Sequence, residues 1–167
     1  MSTPLSRWAP AALLILTLSG CGQPTDDKIT ARNQNEYGIW ASETLVHLSP
    51  DQARIFQEAQ QELKLEIMAT TKATGSDAIN DAFLAQVDGL TAHDVMVKGL
   101  EARLHRIQLE HDEAEKLFDE NSKIRTKPDD DASASYLASR VNEDRERVNR
   151  AQSQLDATQA DLHLIKK

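Results

Sequence analysis

Two apolar seams in the second half of the chain constrain its fold more than any other feature. From Val97, the positions Leu100, Leu104, Ile107, His111, Ala114, Phe118 and Asn121 follow one another at alternating steps of three and four. After Lys127-Pro128-Asp129-Asp130-Asp131 the spacing resumes through Leu137, Val141, Asp144, Val148, Ala151, Leu155, Thr158, Leu162 and Ile165. Such steps keep side chains on one stripe of a helix, and a stripe sustained over several heptads has to be covered by another helix. Two seams around a short polar turn predict an antiparallel helical hairpin over residues 91–167. With ~34 residues per arm at ~1.5 Å rise, it would be about 50 Å long. Pairing of an arm with a second copy stays open, so a homo-oligomer through the coiled coil is the competing arrangement.

Polar residues interrupt the seams at His111, Asn121, Asp144 and Thr158. A hairpin folded with Asn121 facing Leu137 puts Ala114 near Asp144 and His111 near Val148. His111 and Asp144 would then be neighbouring breaks whose contact holds the register at some cost in stability. Two separate, wet interruptions are the alternative. Glu143–Arg147 and Glu146–Arg150 are i,i+4 pairs suited to a solvated face.

Upstream, residues 39–90 read as a small helical region. A first helix is expected over about 39–48, with Ile39, Trp40, Leu45, Val46 and Leu48 as its apolar content. Ser49-Pro50-Asp51-Gln52 then supplies an N-cap, a proline at the first helical position and a glutamine that completes a capping box. Phe56, Ala59, Leu63 and Ile67 make one apolar face of the next helix, which Thr74-Gly75 is expected to end. Ser76 is the expected cap of a third helix carrying Ile79, Phe83 and Val87. Gly89-Leu90 is its expected C-terminal cap, and Thr91 with Asp94 opens the hairpin. The fold class expected is all-α.

The first twenty residues have a different character. Arg7 is the only charge before Cys21, Ala11 to Leu18 are apolar apart from Thr17, and Leu18-Ser19-Gly20 lead into the cysteine. A positive start, a short apolar run and small residues at the cut are the marks of a secretory signal over residues 1–20. The run is well short of the ~20 residues that span a bilayer. Leu18-Ser19-Gly20-Cys21 resembles the lipobox of bacterial lipoproteins. The resemblance implies cleavage between Gly20 and Cys21, a diacylglyceryl group on the Cys21 thiol and, usually, acylation of its amine. A secreted protein with a cysteine near the cut is the plainer alternative, but Cys21 is the only cysteine and has no disulfide partner. Gly22, where an aspartate would imply inner-membrane retention, implies the periplasmic face of the outer membrane. Residues 21–38, polar and without apolar periodicity after Cys21, are expected to be the lipidated cysteine and a flexible tether.

Charge and motif content narrow the function. The whole chain carries 19 Lys+Arg against 27 Asp+Glu, and loss of Arg7 with the signal leaves 18 against 27. That acidic balance argues against nucleic acid as a partner. There is no G-x-S-x-G, no Gly-rich phosphate loop and no H-E-x-x-H, and the expectation is a non-enzyme with no cofactor and no metal. Glu101 with His105, and His111 with Glu115, share helix faces, but His105 and His111 point to nearly opposite sides. Asp129-Asp130-Asp131 lacks the spaced oxygens and glycine of an EF-hand and suits a helix N-terminus instead.

A second resemblance covers roughly residues 41–104. ASETLVHLSPDQARIFQEAQQEL with the later VDGLTAHDVMVKGLEARL is similar to a family of small bacterial lipoproteins of unknown function, through Leu48, Ser49, Phe56, Ala59, Gly89, Thr91 and Val95. It implies a helical module ahead of a coiled coil and brings no activity. The expected function is a membrane-anchored, non-catalytic scaffold or adaptor for a protein partner. The competing expectation is a periplasmic binding module or inhibitor, with a cavity lined by residues such as Trp40, Phe56 and Phe83.

Overall fold

A computed structural model describes residues 26–72, 75–127 and 129–167. Among these, the regular elements are five helices: α1 (Gln34–His47), α2 (Pro50–Thr70), α3 (Ser76–Val87), α4 (Ala92–Lys123) and α5 (Asp131–Ile165). The protein is all-α, with α4 and α5 packed as the expected antiparallel hairpin.

Local chemistry sets where the helices begin. Ser49 accepts from the Gln52 amide at 3.3 Å, while its own amide donates to Gln52 Oε1 at 3.1 Å, and Pro50 occupies the first turn. Thr91 and Asp94 form the same reciprocal pair at the head of α4. Caps of this kind contribute about 1 kcal/mol each. Asp130 caps α5 by accepting from the Ser133 amide at 3.0 Å, so part of the acidic turn acts on the helix dipole as its sequence suggests.

Three boundaries differ from expectation. α1 starts at Gln34 because Asn33 caps it and Glu36 accepts from the Arg32 amide at 2.9 Å. α2 ends at Thr70, well before Gly75, where the Thr71 amide and hydroxyl both donate to the Ile67 carbonyl. Gly75 itself is the N-cap of α3, with φ +95 and no side-chain cap, so Ser76 is the first helical residue instead of the cap.

The core does not respect a boundary at residue 91. Phe56, Leu63 and Ile67 of α2, Phe83 and Val87 of α3, and Val95, Met96 and Leu100 of α4 form one buried cluster, which Tyr37 of α1 and Ile165 of α5 also enter. Aromatic rings tie α1 into it: Tyr37 lies edge-on to Phe83 at 5.2 Å and Trp40 to Phe56 at 6.0 Å. α4 therefore serves both regions. Its first half is the middle of the core, and its second half is one arm of the hairpin, where Ile107, Ala151 and Leu155 form a separate small cluster.

Glycine at position 99 permits this. A Cβ there would run into the backbone and side chain of Ala59, far inside van der Waals contact, so α2 and α4 touch at backbone distance. Gly99→Ala should force the helices apart and lower stability by about 1–3 kcal/mol, read as a fall in the urea midpoint at unchanged slope.

The hairpin register differs by one heptad from the expected one. Asn121 Nδ2 donates to Asp144 Oδ2 at 2.6 Å, placing Asn121 opposite Asp144 instead of Leu137. His111 and Asp144 are accordingly not partners. The physical reason is that the base sets the register: Ile165 is buried in the main cluster and His93 Nε2 reaches its carbonyl at 3.2 Å. The connection takes up the slack, leaving the helical conformation at Ile124. Asp144 is fully buried, and its Oδ1 has no hydrogen-bond partner among the described residues. Asn121→Leu alone should cost about 2 kcal/mol by stranding a buried carboxylate. Asn121→Leu with Asp144→Leu should recover most or all of that loss in a double-mutant cycle followed by urea unfolding.

Candidate functional site

Gly20 and Cys21 lie outside the described residues, but the point where the chain enters the fold is defined. Ile29 is 1% exposed and is clamped to the α3–α4 junction: its amide donates to the Leu90 carbonyl at 2.8 Å, and its carbonyl accepts from the Gly89 amide at 2.9 Å. Gly89 adopts φ +74, a left-handed conformation that glycine takes without Cβ strain. The expected tether to residue 38 is thus shorter: the chain is integrated from Ile29, because an apolar side chain and two backbone bonds hold it. Seven residues, 22–28, separate Cys21 from Ile29, and their extended reach is at most ~28 Å.

The base above this entry is braced by charge. Arg54 of α2 makes two hydrogen bonds to Asp161 of α5, at 2.8 and 3.1 Å. Arg106 of α4 clasps Glu62 of α2 through Nη2 and Nε at 2.6 and 3.0 Å and reaches Glu110 at 2.6 Å. Arg103 pairs with Glu58, and Glu58 in turn with Arg54 at 3.1 Å. Hydrogen bonding to Glu62 raises the Arg106 pKa above its ordinary value, and bonding to Asp161 does the same for Arg54. The pairs stay charged and join α2, α4 and α5 into one frame. Paired forks with Glu62 nearly buried hold geometry better than isolated surface ion pairs do.

The far end of the hairpin is built differently. Because Asn121 opposes Asp144, the first turns of α5 run past the end of α4 and are flanked by the connection. Ile124, Arg125 and Thr126 face Ala134, Leu137, Ala138 and Val141 across an open groove. Tyr136 is 70% exposed and Ile124 51%. Residues 132–139 (ASASYLAS) hold no charge. These first turns of α5 are the longest uncharged run that the described helices leave against solvent in the second half of the chain.

His111 lies on the seam with its imidazole 3.7 Å from Asp112 and 3.9 Å from Glu115. One nitrogen and two carboxylates fall within 4.8 Å of one another, the spacing of a cation site. All three donors come from a single stretch of α4, and both carboxylates are mostly exposed, so neighbouring positions on one helix account for the arrangement. Glu101, which shares a helix face with His105, meets Lys166 at 3.0 Å. Trp40, Phe56 and Phe83, the expected lining of a ligand cavity, pack within the main core.

Comparison with protein-family models, curated proteins and solved structures finds no match. The functional reading therefore rests on the residues and their geometry.

Sequence reasoning missed the Ile29 clamp and the cross-helix ion pairs. Ile29 stands alone in a polar stretch with no periodicity to mark it, and pairs more than forty residues apart leave no local signal. The Asn33–Glu36 spacing at the start of α1 was a readable capping pattern.

Asp94 provides a pH test of this base. The Thr91 amide and hydroxyl donate to its carboxylate and lower its pKa below the ordinary carboxylate value. A carboxyl with a depressed folded-state pKa adds stability above its unfolded pKa and loses it as pH falls through the folded one. Asp94→Asn should be less stable than wild type at neutral pH, and the gap should close as pH drops below about 4, followed by thermal unfolding in circular dichroism.

Proposed function

We propose that the mature chain is a lipid-anchored envelope protein, cleaved before Cys21 and acylated there, on the periplasmic face of the outer membrane. Its hairpin acts as a non-catalytic scaffold or adaptor for a protein partner. The observation that supports this is that the chain enters the fold at the end of α4 opposite the hairpin tip. Ile29 packs beside Leu90, immediately before α4, whereas the α4–α5 connection lies at the other end of that helix. The 32 residues of α4 correspond to ~48 Å of rise.

A short leash at the base and a braced frame above it would hold the tip, with the uncharged first turns of α5, away from the lipid surface, where a periplasmic protein can reach it. The packing of Trp40, Phe56 and Phe83 into the core favours this reading over a module that encloses a small ligand.

In the native cell, Cys21→Ser should leave the precursor unlipidated and release the protein from the membrane fraction. A photocrosslinking side chain at Tyr136 should capture a defined protein, whereas the same group at Gln108, partway along α4, should not. Membrane retention of Cys21→Ser would overturn the anchor. Equal capture at both positions, or none at either from a monomeric protein, would overturn the adaptor.

A further inference from the structure

α1 has an outer face unlike those of the two long helices. Tyr37, Ala41 and Thr44 are buried on its inner side. Asn35, Gly38, Ile39, Ser42 and Val46 share the opposite side at helical spacing, with Glu43 at its edge beside Ile39 and Ser42. Ile39 is 56% exposed and Val46 80%, the latter the most exposed large apolar side chain among the described residues. Beyond the uncharged first turns of α5, the solvent faces of α4 and α5 are instead charged, through Glu101, Asp112 and Glu115 on one and Glu146, Arg147 and Arg150 on the other.

The entering chain runs alongside this helix. Asp27 lines a recess with Trp40, Glu43, Thr44 and His47, so the polypeptide joins the fold against the C-terminal half of α1, the half that carries Val46. Five residues, 22–26, lie between Asp27 and Cys21, a span of at most ~21 Å. If Cys21 sits in a bilayer, Asp27 is held within that distance of the anchor point and the C-terminal half of α1 beside it, while the hairpin tip is at the far end of α4.

We propose that the Ile39–Val46 face of α1 rests on the phospholipid surface and orients the anchored protein there. This rests on the lipid-anchored reading of Cys21. Two apolar side chains bind a membrane poorly alone, but a covalent anchor makes their contact intramolecular and raises the effective concentration of the surface. Glu43 borders both the stripe and the recess that holds Asp27, so zwitterionic headgroups suit the face and anionic ones repel it.

The test uses the full lipidated protein in phosphatidylcholine vesicles. Acylation consumes the only native thiol, so Ser42→Cys offers one site for an environment-sensitive fluorophore on the stripe, and Tyr136→Cys offers the reference at the tip. The label at 42 should be blue-shifted and quenched by lipid-borne nitroxide several-fold more than the label at 136. Ile39→Ser with Val46→Ser should abolish the difference while the protein still floats with the vesicles, and phosphatidylglycerol should weaken it. Equal quenching at 42 and 136 in protein that floats would overturn the contact and leave the anchor standing. Failure to float, with Cys21 open to thiol reagents, would overturn the anchor and the orientation together. Quenching that grows with anionic lipid would overturn the choice of headgroup.

Discussion

The contact between Gly99 and Ala59 governs the rest of the structure. It brings α2 and α4 to backbone distance, and the closeness lets the large side chains around it, Phe56, Leu63, Met96 and Leu100, close into one core. A glycine inside a helix costs roughly 1 kcal/mol against alanine. That cost is offset here by packing that no side chain at position 99 would permit. The ionic frame depends on the same approach, because Arg103 and Arg106 reach Glu58 and Glu62 only across a tight α2–α4 crossing.

From that crossing, order extends along α4 in both directions. Toward its start, Thr91 and Asp94 cap the helix while Gly89 and Leu90 clamp Ile29, so the entry of the chain is part of the same rigid base. Toward its end, the core thins to Ile107, Ala151 and Leu155, then to the buried Asn121–Asp144 hydrogen bond. Stability is therefore graded along the hairpin, greatest where three helices meet and least at the tip. The base is braced by three helices, and the tip is held by few contacts.

Polar residues in the seam play distinct parts. Thr158 is buried and satisfies its hydroxyl on the Gln154 carbonyl of its own helix, at 2.7 Å. Asp144 needs Asn121 from the opposite arm, and that pair penalises any register that separates them. His111 is buried on the seam near Asp112 and Glu115 of its own helix, and its Nδ1 has no hydrogen-bond partner among the described residues. Polar seam residues thus bond within their own helix, pin the register across the arms or lie unpaired, depending on what lies opposite.

Much of the fold was legible in the chain because it is written in local terms. The seams from Val97 to Asn121 and from Leu137 to Ile165 specify two helices and the faces they bury, and Ser49-Pro50-Asp51-Gln52 and Thr91 with Asp94 specify where helices begin, since both depend on spacings within one or two turns. The mid-helix Gly99 was a readable hint of close approach, but its partner Ala59 was not. Tertiary structure alone decided the heptad on which the arms meet, the clamp on Ile29, the ion pairs across α2, α4 and α5, and the exposure of the Ile39–Val46 face. Each of these joins residues distant in the chain, and a period of seven fits equally well one heptad away. The burial of Ile165 in the base cluster and the Asn121–Asp144 bond together choose among the registers that the sequence pattern leaves equivalent.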